Sequence, residues 1–243
     1  MNAFTLKIIA LTAMIIDHMG VVFPGQFGFE FRVIGRLAFP IYVYLVAEGF
    51  KHTKSPAKFL ARLFVFAMIS QPVFQIALRG VDSFENVSFF ANTNIFYTLF
   101  FGGAAISAYK YINKANFSII ALLPLLLFMW LAALFSSDYG AYGVIFVFGM
   151  YWIGQANNGN VPKGMQIAVM AGLCLWQHNA IIRFALTGYA GYIPILTWML
   201  IPATLLPVLL VGLYNGKRGP SLKWFFYASY PIHLAVLAII LPG

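Results

Sequence analysis

The stretch LKIIALTAMIIDHMGVVF, residues 6–23, is apolar over a membrane-span length yet carries Asp17 and His18 side by side. A helix needs about 20 consecutive apolar residues to cross the hydrocarbon core of a bilayer. A charged side chain at that depth costs on the order of 3 kcal/mol even on the mildest insertion scales. Such groups persist where they pair, line a polar cavity or take part in chemistry. This stretch therefore predicts a membrane helix and a candidate site together.

Composition extends this prediction to the whole chain of 243 residues. Hydrophobic residues make up 62% and charged residues 9%, whereas a soluble domain is about 25% charged. We therefore expect an all-α, polytopic transmembrane helix bundle that forms one domain over residues 1–243. Reading about 20 residues per span predicts about nine spans (between eight and ten): 5–23, 32–50, 59–78, 93–112, 117–135, 139–154, 164–180, 191–213 and 222–241.

The cysteine content and the first apolar stretch exclude some features from the predicted membrane protein. Cys174 is the one cysteine, so the sequence predicts neither an intrachain disulfide nor a cysteine metal site. We expect no metal centre. The first stretch lacks a small-residue cleavage site, so it is read as a retained helix rather than as a signal peptide.

The net charge of +9 is explained first by membrane topology and not by nucleic-acid binding. With the N-terminus in the cytoplasm, eleven basic residues fall at the cytoplasmic side and four at the other. The first set is Lys7, Lys51, Lys54, Lys58, Arg62, Lys110, Lys114, Lys163, Lys217, Arg218 and Lys223, and the second is Arg32, Arg36, Arg79 and Arg183. The positive-inside rule then predicts a multi-pass membrane protein with a cytoplasmic N-terminus.

The position of His18 along the first helix suits acid–base chemistry. Eleven residues, or about 16 Å at the helical rise, separate it from Lys7, which places it past the midplane of the bilayer. Asp17 is adjacent, roughly 100° round the helix. Histidine moves protons near neutral pH, so His18 is a candidate general base. An interhelical hydrogen bond is the alternative.

The second span adds further charged candidates. Arg36 lies deep enough to need a partner, and Asp17 is the natural one. Arg32 is expected to extend to the membrane interface. Glu48, near the cytoplasmic end, either pairs with Lys51 or His52 at i+3 and i+4 or takes part in a site.

Two basic segments lie on the predicted cytoplasmic side. One contains Lys51, Lys54, Lys58 and Arg62, and the other contains Lys217 and Arg218 between glycines. They either contact anionic lipid headgroups or bind the phosphates of a cytosolic cofactor. The glycines and Pro220 predict a tight loop around the second segment.

Three further residues complete the set of candidate pocket residues. Asp138 precedes the sixth span and is expected to cap that helix. Tyr142 suits anchoring at the interface. His233 lies in the outer half of the last span, two residues after Pro231, which removes a helix hydrogen bond there. It either lines a polar cavity or makes an interhelical hydrogen bond.

Several stretches together resemble the TraX family, in the same order and over essentially the whole chain. They include Leu6–Leu11, Ile16–Gly20, Arg32–Pro40, Glu48–Phe50, Asn94–Leu99, Asp138–Gly143, Tyr214–Gly219 and Tyr230–His233. TraX proteins are bacterial inner-membrane proteins associated with N-acetylation of F-type conjugative pilin. The opening also resembles the wider acyltransferase 3 family, in which a basic residue begins the first helix and the proposed catalytic histidine lies at its far end. Lys7 and His18 match that layout, with Lys7 in place of the usual arginine.

The resemblance implies a membrane acetyltransferase that uses acetyl-CoA as co-substrate. His18 would be the general base, Asp17 would orient or polarise the site, and Arg36 would stabilise the thioester oxyanion. Some of the basic residues at 51, 54, 58, 62, 217 and 218 would hold the phosphates. The acceptor would be an amine or hydroxyl, on a pilin-like protein or on a sugar.

Two other functions are compatible with the same residues. A proton-coupled transporter would use Asp17, His18, Arg36 and His233 as a relay, although no inverted repeat is evident. A non-catalytic membrane assembly factor would tolerate the loss of both Asp17 and His18.

Overall fold

A computed structural model describes residues 1–25, 28–112, 122–159, 161–177 and 193–240, and every regular element within them is helical. The α-helices are α1 (Ala3–Val22), α2 (Gly28–Gly35), α3 (Ala38–His52), α4 (Pro56–Arg79), α5 (Ile95–Ile112), α6 (Leu123–Leu134), α7 (Gly140–Gln155), α8 (Lys163–Gln177), α9 (Ile193–Gly212) and α10 (Lys223–Ile240). The all-α prediction is confirmed for these ranges.

Where its residues are described, each predicted span coincides with helix, with one difference in the second. The span predicted at 32–50 is two helices, because α2 ends at Gly35 and a turn at 36–37 precedes α3. The spans predicted at 117–135, 164–180 and 191–213 extend outside the described residues. Lys114 and Arg183 from the charge balance also lie outside them.

Within the described ranges, four segments are long and apolar enough to cross a membrane: Ala3–Val22, Gly28–His52, Pro56–Arg79 and Lys223–Ile240. Gly28–His52 comprises α2 and α3. The cytoplasmic position of the N-terminus and the number of spans stay predictions.

The chain divides into two compact units, each assembled from two separate segments. The first comprises Met1–Tyr42 and Asn157–Leu222, and the second Val43–Ala156 and Lys223–Gly243. In the first unit α1 packs against α2, α8 against α9, and α9 also contacts α2. In the second unit α4 packs against α5 and α10, while α5, α6 and α7 pack on one another. The expectation of one domain over residues 1–243 stays a prediction.

The longest helix of the second unit has clear start and stop signals in the sequence. Ser55 accepts a hydrogen bond from the backbone N–H of Lys58 at 3.4 Å, and Pro56 occupies the first helical turn. Both are favoured at a helix start. The helix ends at Arg79 and is capped by Gly80, whose φ of 69° lies in the left-handed region that glycine adopts readily.

Three buried amides join α4 to the start of α5. Gln71 accepts through Oε1 from the backbone N–H of Asn94 at 3.0 Å and from its side-chain amide at 2.8 Å. The Asn94 amide also donates to the Ala67 carbonyl at 2.8 Å. Gln75 donates to the Ser88 carbonyl and accepts from its N–H, at 2.9 and 2.8 Å. These bonds fix the loop before α5 and satisfy polar groups that would otherwise be costly to bury.

Replacing Asn94 by alanine is expected to lower the free energy of unfolding by about 1–3 kcal/mol. The change leaves Gln71 and the Ala67 carbonyl without the Asn94 side chain as partner, and it removes the hydrogen bond that the N–H of Phe96 donates to Asn94 Oδ1. Thermal unfolding followed by circular dichroism in detergent measures the loss. Asn86→Ala, at an exposed position of the same connection, is the matched control and should change the midpoint little. Equal midpoints for the two variants would contradict the prediction.

Candidate functional site

Asp17 is held by two arginines within the first unit. Arg32 Nη1 donates to Asp17 Oδ2 at 2.8 Å, and Arg36 Nη2 donates to Asp17 Oδ1 at 3.4 Å. The Asp17 side chain is only 17% exposed, against 41% for Arg32 and 20% for Arg36. Both carboxylate oxygens are thus engaged by guanidinium groups, which offsets the cost of placing the charge in an apolar helix.

The predicted pair of Asp17 with Arg36 is confirmed. Arg32 also binds Asp17, with the shorter of the two bonds, which was not predicted; its expected extension to the membrane interface stays a prediction. Arg36 directly follows α2, four residues after Arg32, so the two arginines lie about one helical turn apart. Arg32 and Arg36 therefore both reach the same side of α1.

Glycines allow α1 and α2 to approach closely enough for these bonds. A Cβ built at Gly35 would overlap the side chain of Asp17, at its Cβ, Cγ and Oδ1 atoms. A Cβ at Gly20 would lie 2.7 Å from the Gly28 carbonyl oxygen and 2.8 Å from the Phe31 Cβ. Small residues are typical where membrane helices cross closely. Sequence reasoning did not single out Gly35, although a glycine three residues after Arg32 was the available signal.

The break between α2 and α3 sets the direction of Arg36. Its backbone N–H donates to the Val33 carbonyl at 3.2 Å, and its side-chain Nε donates to the Arg32 carbonyl at 3.0 Å. A guanidinium carries five N–H donors, and these bonds use one at Nε and one at Nη2. The side chain is therefore oriented by its own turn as well as by Asp17.

His18 is buried, with 9% of its surface exposed. It follows Asp17 on α1, so its side chain leaves the helix roughly 100° away from the carboxylate. The imidazole is therefore buried within the first unit, on the residue that directly follows the Asp17 of the ion pairs. Its depth relative to a bilayer stays a prediction.

Glu48, in the second unit, forms the pairs that its spacing predicted. Its Oε2 lies 3.3 Å from Lys51 Nζ and its Oε1 lies 3.1 Å from His52 Nε2. Lys54 and Lys58 are exposed beyond the end of α3. Lys51 is thus already paired with a carboxylate.

The remaining basic candidates differ in their surroundings. Arg62, in the second unit, lies over the Phe59 ring, with its guanidinium carbon 5.6 Å from the ring centroid. Lys217 and Arg218 belong to the first unit and are exposed. Gly216 and Gly219 beside them have φ of 75° and 71°, which confirms the predicted tight loop.

Asp138 is not the cap of α7, contrary to expectation. Tyr139 occupies the N-cap position with φ 64° and makes no side-chain capping bond. Asp138 instead pairs with Arg79, with 3.7 Å between carboxylate oxygen and Nη2, and its backbone carbonyl accepts from the Thr98 hydroxyl. Tyr142 packs edge-on against Phe146, with ring centroids 5.8 Å apart.

His233 lies on α10 in the second unit with a defined tautomer. Its Nδ1 is 2.7 Å from the Ser229 carbonyl oxygen. A carbonyl can only accept, so Nδ1 carries the hydrogen and Nε2 is the atom that can take a proton. Its ring lies edge-on to Tyr230, with centroids 5.5 Å apart. His233 belongs to the second unit and His18 to the first.

Comparison with known proteins identifies the family. The family model described as TraX protein matches residues 3–241, which is nearly the whole chain. The chain belongs to the TraX family.

A curated relative supports this membership. It is the probable fimbrial assembly protein FimC, serogroup H1, of Dichelobacter nodosus, which is 32% identical over 247 residues. The alignment covers 97% of this chain and 94% of the relative. No solved structure matches the chain.

Gly35→Ala is expected to lower the free energy of unfolding of the first unit by about 1–3 kcal/mol, since the added methyl group overlaps Asp17. Cys174, buried in α8 of the same unit, reports unfolding through a thiol-reactive fluorescent dye during heating.

Gly172→Ala is the matched control for this substitution. A Cβ at Gly172 would meet nothing within 4 Å, and alanine is favoured over glycine inside a helix by about 0.5–1 kcal/mol. The two variants should therefore shift the midpoint in opposite directions. A Gly35→Ala midpoint at or above that of the wild type would contradict the close approach of α1 and α2.

Proposed function

We propose that this chain is an integral membrane acetyltransferase that transfers acetyl from acetyl-CoA to an amine or hydroxyl of a pilin-like acceptor. The observation that carries the proposal is the buried His18 next to a carboxylate held by two arginines, in a chain of the TraX family. Intramembrane ionisable residues of this kind are rare and are typical of functional sites.

The chemistry requires a base and a stabiliser of negative charge. A protonated amine must lose a proton before its nitrogen can attack the thioester carbonyl. The C–S bond then breaks, the thiolate of CoA takes up a proton, and the acceptor nitrogen carries the acetyl group with the release of one proton. His18 is suited to accept the proton from the acceptor because imidazole titrates near neutral pH.

Arg36 is suited to stabilise the oxyanion that forms on the thioester carbonyl. Its guanidinium is oriented by the Arg32 carbonyl and by Asp17, so it need not reorganise during the reaction. In this arrangement Asp17 acts as a positioning residue that holds both arginines. This differs from a triad, in which the carboxylate orients the imidazole.

Each unit offers its own exposed cations for the phosphates of acetyl-CoA. Lys217 and Arg218 belong to the first unit, which also holds His18, and Lys54 and Lys58 belong to the second. Lys51 and Arg62 are proposed as further contributors, although Lys51 also pairs with Glu48. Acetyl-CoA supplies the activated acetyl group as a thioester.

The predicted setting is the bacterial inner membrane, with several spans and the N-terminus in the cytoplasm. The charge asymmetry of the loops supports this orientation. The TraX family is linked to pilin acetylation, and the Dichelobacter nodosus relative is called a fimbrial assembly protein. Both favour a pilin subunit over a sugar as the acceptor.

Acetyl transfer by the purified full chain tests the proposal directly. Radiolabelled acetyl-CoA is supplied with a peptide that has a free amino terminus, and label in the peptide is counted. His18→Ala is expected to lower the rate about 10²–10⁴-fold, the usual contribution of a general base. His52→Ala is the control, since the His52 side chain is 73% exposed and pairs with Glu48.

The outcomes separate the proposal from its main alternative, a non-catalytic assembly factor, which the name of the Dichelobacter nodosus relative favours. If the wild-type chain transfers no label, the acetyltransferase proposal is wrong. If a folded His18→Ala variant retains the full rate, His18 has no role in the chemistry. Pilus assembly that survives the loss of both Asp17 and His18 would support the assembly factor.

A further inference from the structure

The ion pairs of Asp17 leave one positive charge in excess. One carboxylate faces two guanidinium groups, those of Arg32 and Arg36. We call these three side chains the two-arginine cluster. Asp17 and Arg36 are only 17% and 20% exposed, and a charge in such surroundings is costly unless a counter-charge lies beside it. The cluster therefore lacks one negative charge for neutrality.

No other acid of the first unit supplies that charge. By sequence, the unit contains two acids, Asp17 and Glu30. Glu30 is exposed and precedes Arg32 by two residues on α2, and side chains two apart on a helix do not face each other. A neutralising charge is therefore expected from a bound molecule.

Arg32 is the member of the cluster that is placed to contact a bound molecule. It donates to Asp17 through Nη1 at 2.8 Å, and its Nε and Nη2 make no hydrogen bond to the described residues. Its side chain is 41% exposed, whereas Arg36 is more buried and its Nε is engaged by the Arg32 carbonyl. Two N–H groups on one edge of a guanidinium match the two oxygens of a carboxylate or phosphate.

The size of the excess charge favours a carboxylate. A carboxylate carries one negative charge, which makes the cluster neutral when it binds. A phosphate monoester carries about 1.5 to 2 negative charges at neutral pH and would leave an excess of the opposite sign. The phosphodiester of a lipid headgroup also carries a single charge, so charge alone does not separate these two anions.

The acetyl transfer proposed above favours a carboxylate that belongs to the acceptor. An amine acceptor arrives as a cation, and a cluster with a net positive charge repels it. His18, directly after Asp17, would itself become a cation when it accepts the proton of the amine. A carboxylate on the same acceptor cancels the excess charge and lets the amine approach. A lipid headgroup would give the acceptor no such advantage.

We propose that Arg32 binds a carboxylate of the acceptor, close to the amine that is acetylated, and thereby determines acceptor specificity. The substrate class is then a peptide with an acidic residue within a few residues of a free amino terminus. The identity of the amine rests on the proposed function, whereas carboxylate binding by Arg32 does not require acetyl transfer. Arg36 keeps its proposed role at the thioester oxyanion.

Peptide binding to the purified full chain in detergent tests this site without acetyl-CoA. The probes are fluorescein-labelled peptides with a free amino terminus and one glutamate, at the second, third, fourth or fifth position. The reference peptide has glutamine at all four positions. Dissociation constants are measured by fluorescence anisotropy.

The measured quantity is the ratio of the two affinities. The wild type is expected to bind at least one glutamate peptide about tenfold or more tightly than the glutamine peptide. Arg32→Gln should reduce this ratio to about one. Arg32→Lys keeps the charge but loses the two parallel donors, so it should retain only part of the ratio.

Arg79→Gln is the matched control. Arg79 is 42% exposed and also pairs with an aspartate, Asp138, at 3.7 Å. This pair is balanced, with one charge of each sign, and it belongs to the second unit. The variant removes the same charge from the chain and should keep the ratio within twofold of the wild type.

Each outcome supports or overturns the proposal. It is overturned if the wild type binds the glutamate peptides no more tightly than the glutamine peptide, if Arg32→Gln retains the ratio, or if Arg79→Gln lowers it equally. Binding of dihexanoyl phosphatidylglycerol that depends on Arg32, without any preference among the peptides, would assign the cluster to a lipid headgroup instead.

Two further measurements separate this site from other causes of a negative result. A glutamate preference in a chain that transfers no acetyl group would support carboxylate binding and contradict the proposed function alone. Circular dichroism spectra and thermal midpoints show whether a variant is folded, which is expected because Arg36 still pairs with Asp17 when Arg32 is replaced.

Discussion

The charge on Asp17 is the constraint on which the first unit depends. A lone carboxylate inside an apolar helix is expensive, and two guanidinium groups at 2.8 and 3.4 Å offset that cost. Both arginines come from one face around the end of α2, so α2 must lie directly against α1. The crossing glycines, the short length of α2 and the turn before α3 all serve that approach. The position of His18 then follows from that of Asp17 through the geometry of α1.

Much of the fold could be predicted because membrane helices have a strong local signal. Long apolar runs predicted the positions of the described helices, and the spacing of Glu48 with Lys51 and His52 predicted their pairs. The division of the second span at residues 36–37 was missed, because a turn inside an apolar run does not change its hydropathy. Contacts between distant segments, such as Gln71 with Asn94, also have no local signature.

The sequence indicated which residues belong to the candidate site better than it indicated how they are arranged. Asp17 and Arg36 were paired correctly because a buried charge requires a partner of opposite sign. The bond between Arg32 and Asp17 was not predicted, since a long arginine side chain can reach several partners and only the packing decides which one it binds. Asp138 was predicted to cap α7 because aspartate is favoured at that position. Its carboxylate instead pairs with Arg79, and its backbone carbonyl accepts a hydrogen bond from the Thr98 hydroxyl. Such choices depend on tertiary neighbours that the sequence alone does not identify.

The contact between Gly35 and Asp17 also fixes the position of α1 along and around its own axis. The space opposite Gly35 admits the Asp17 side chain only because position 35 has no Cβ. Sliding α1 by one residue would bring Ile16 or His18, both bulkier, to that place and would turn the helix by about 100°. The position of α1 along and around its axis is therefore set by its contact with α2. The direction in which the imidazole of His18 faces is, in this sense, encoded by a glycine on a neighbouring helix.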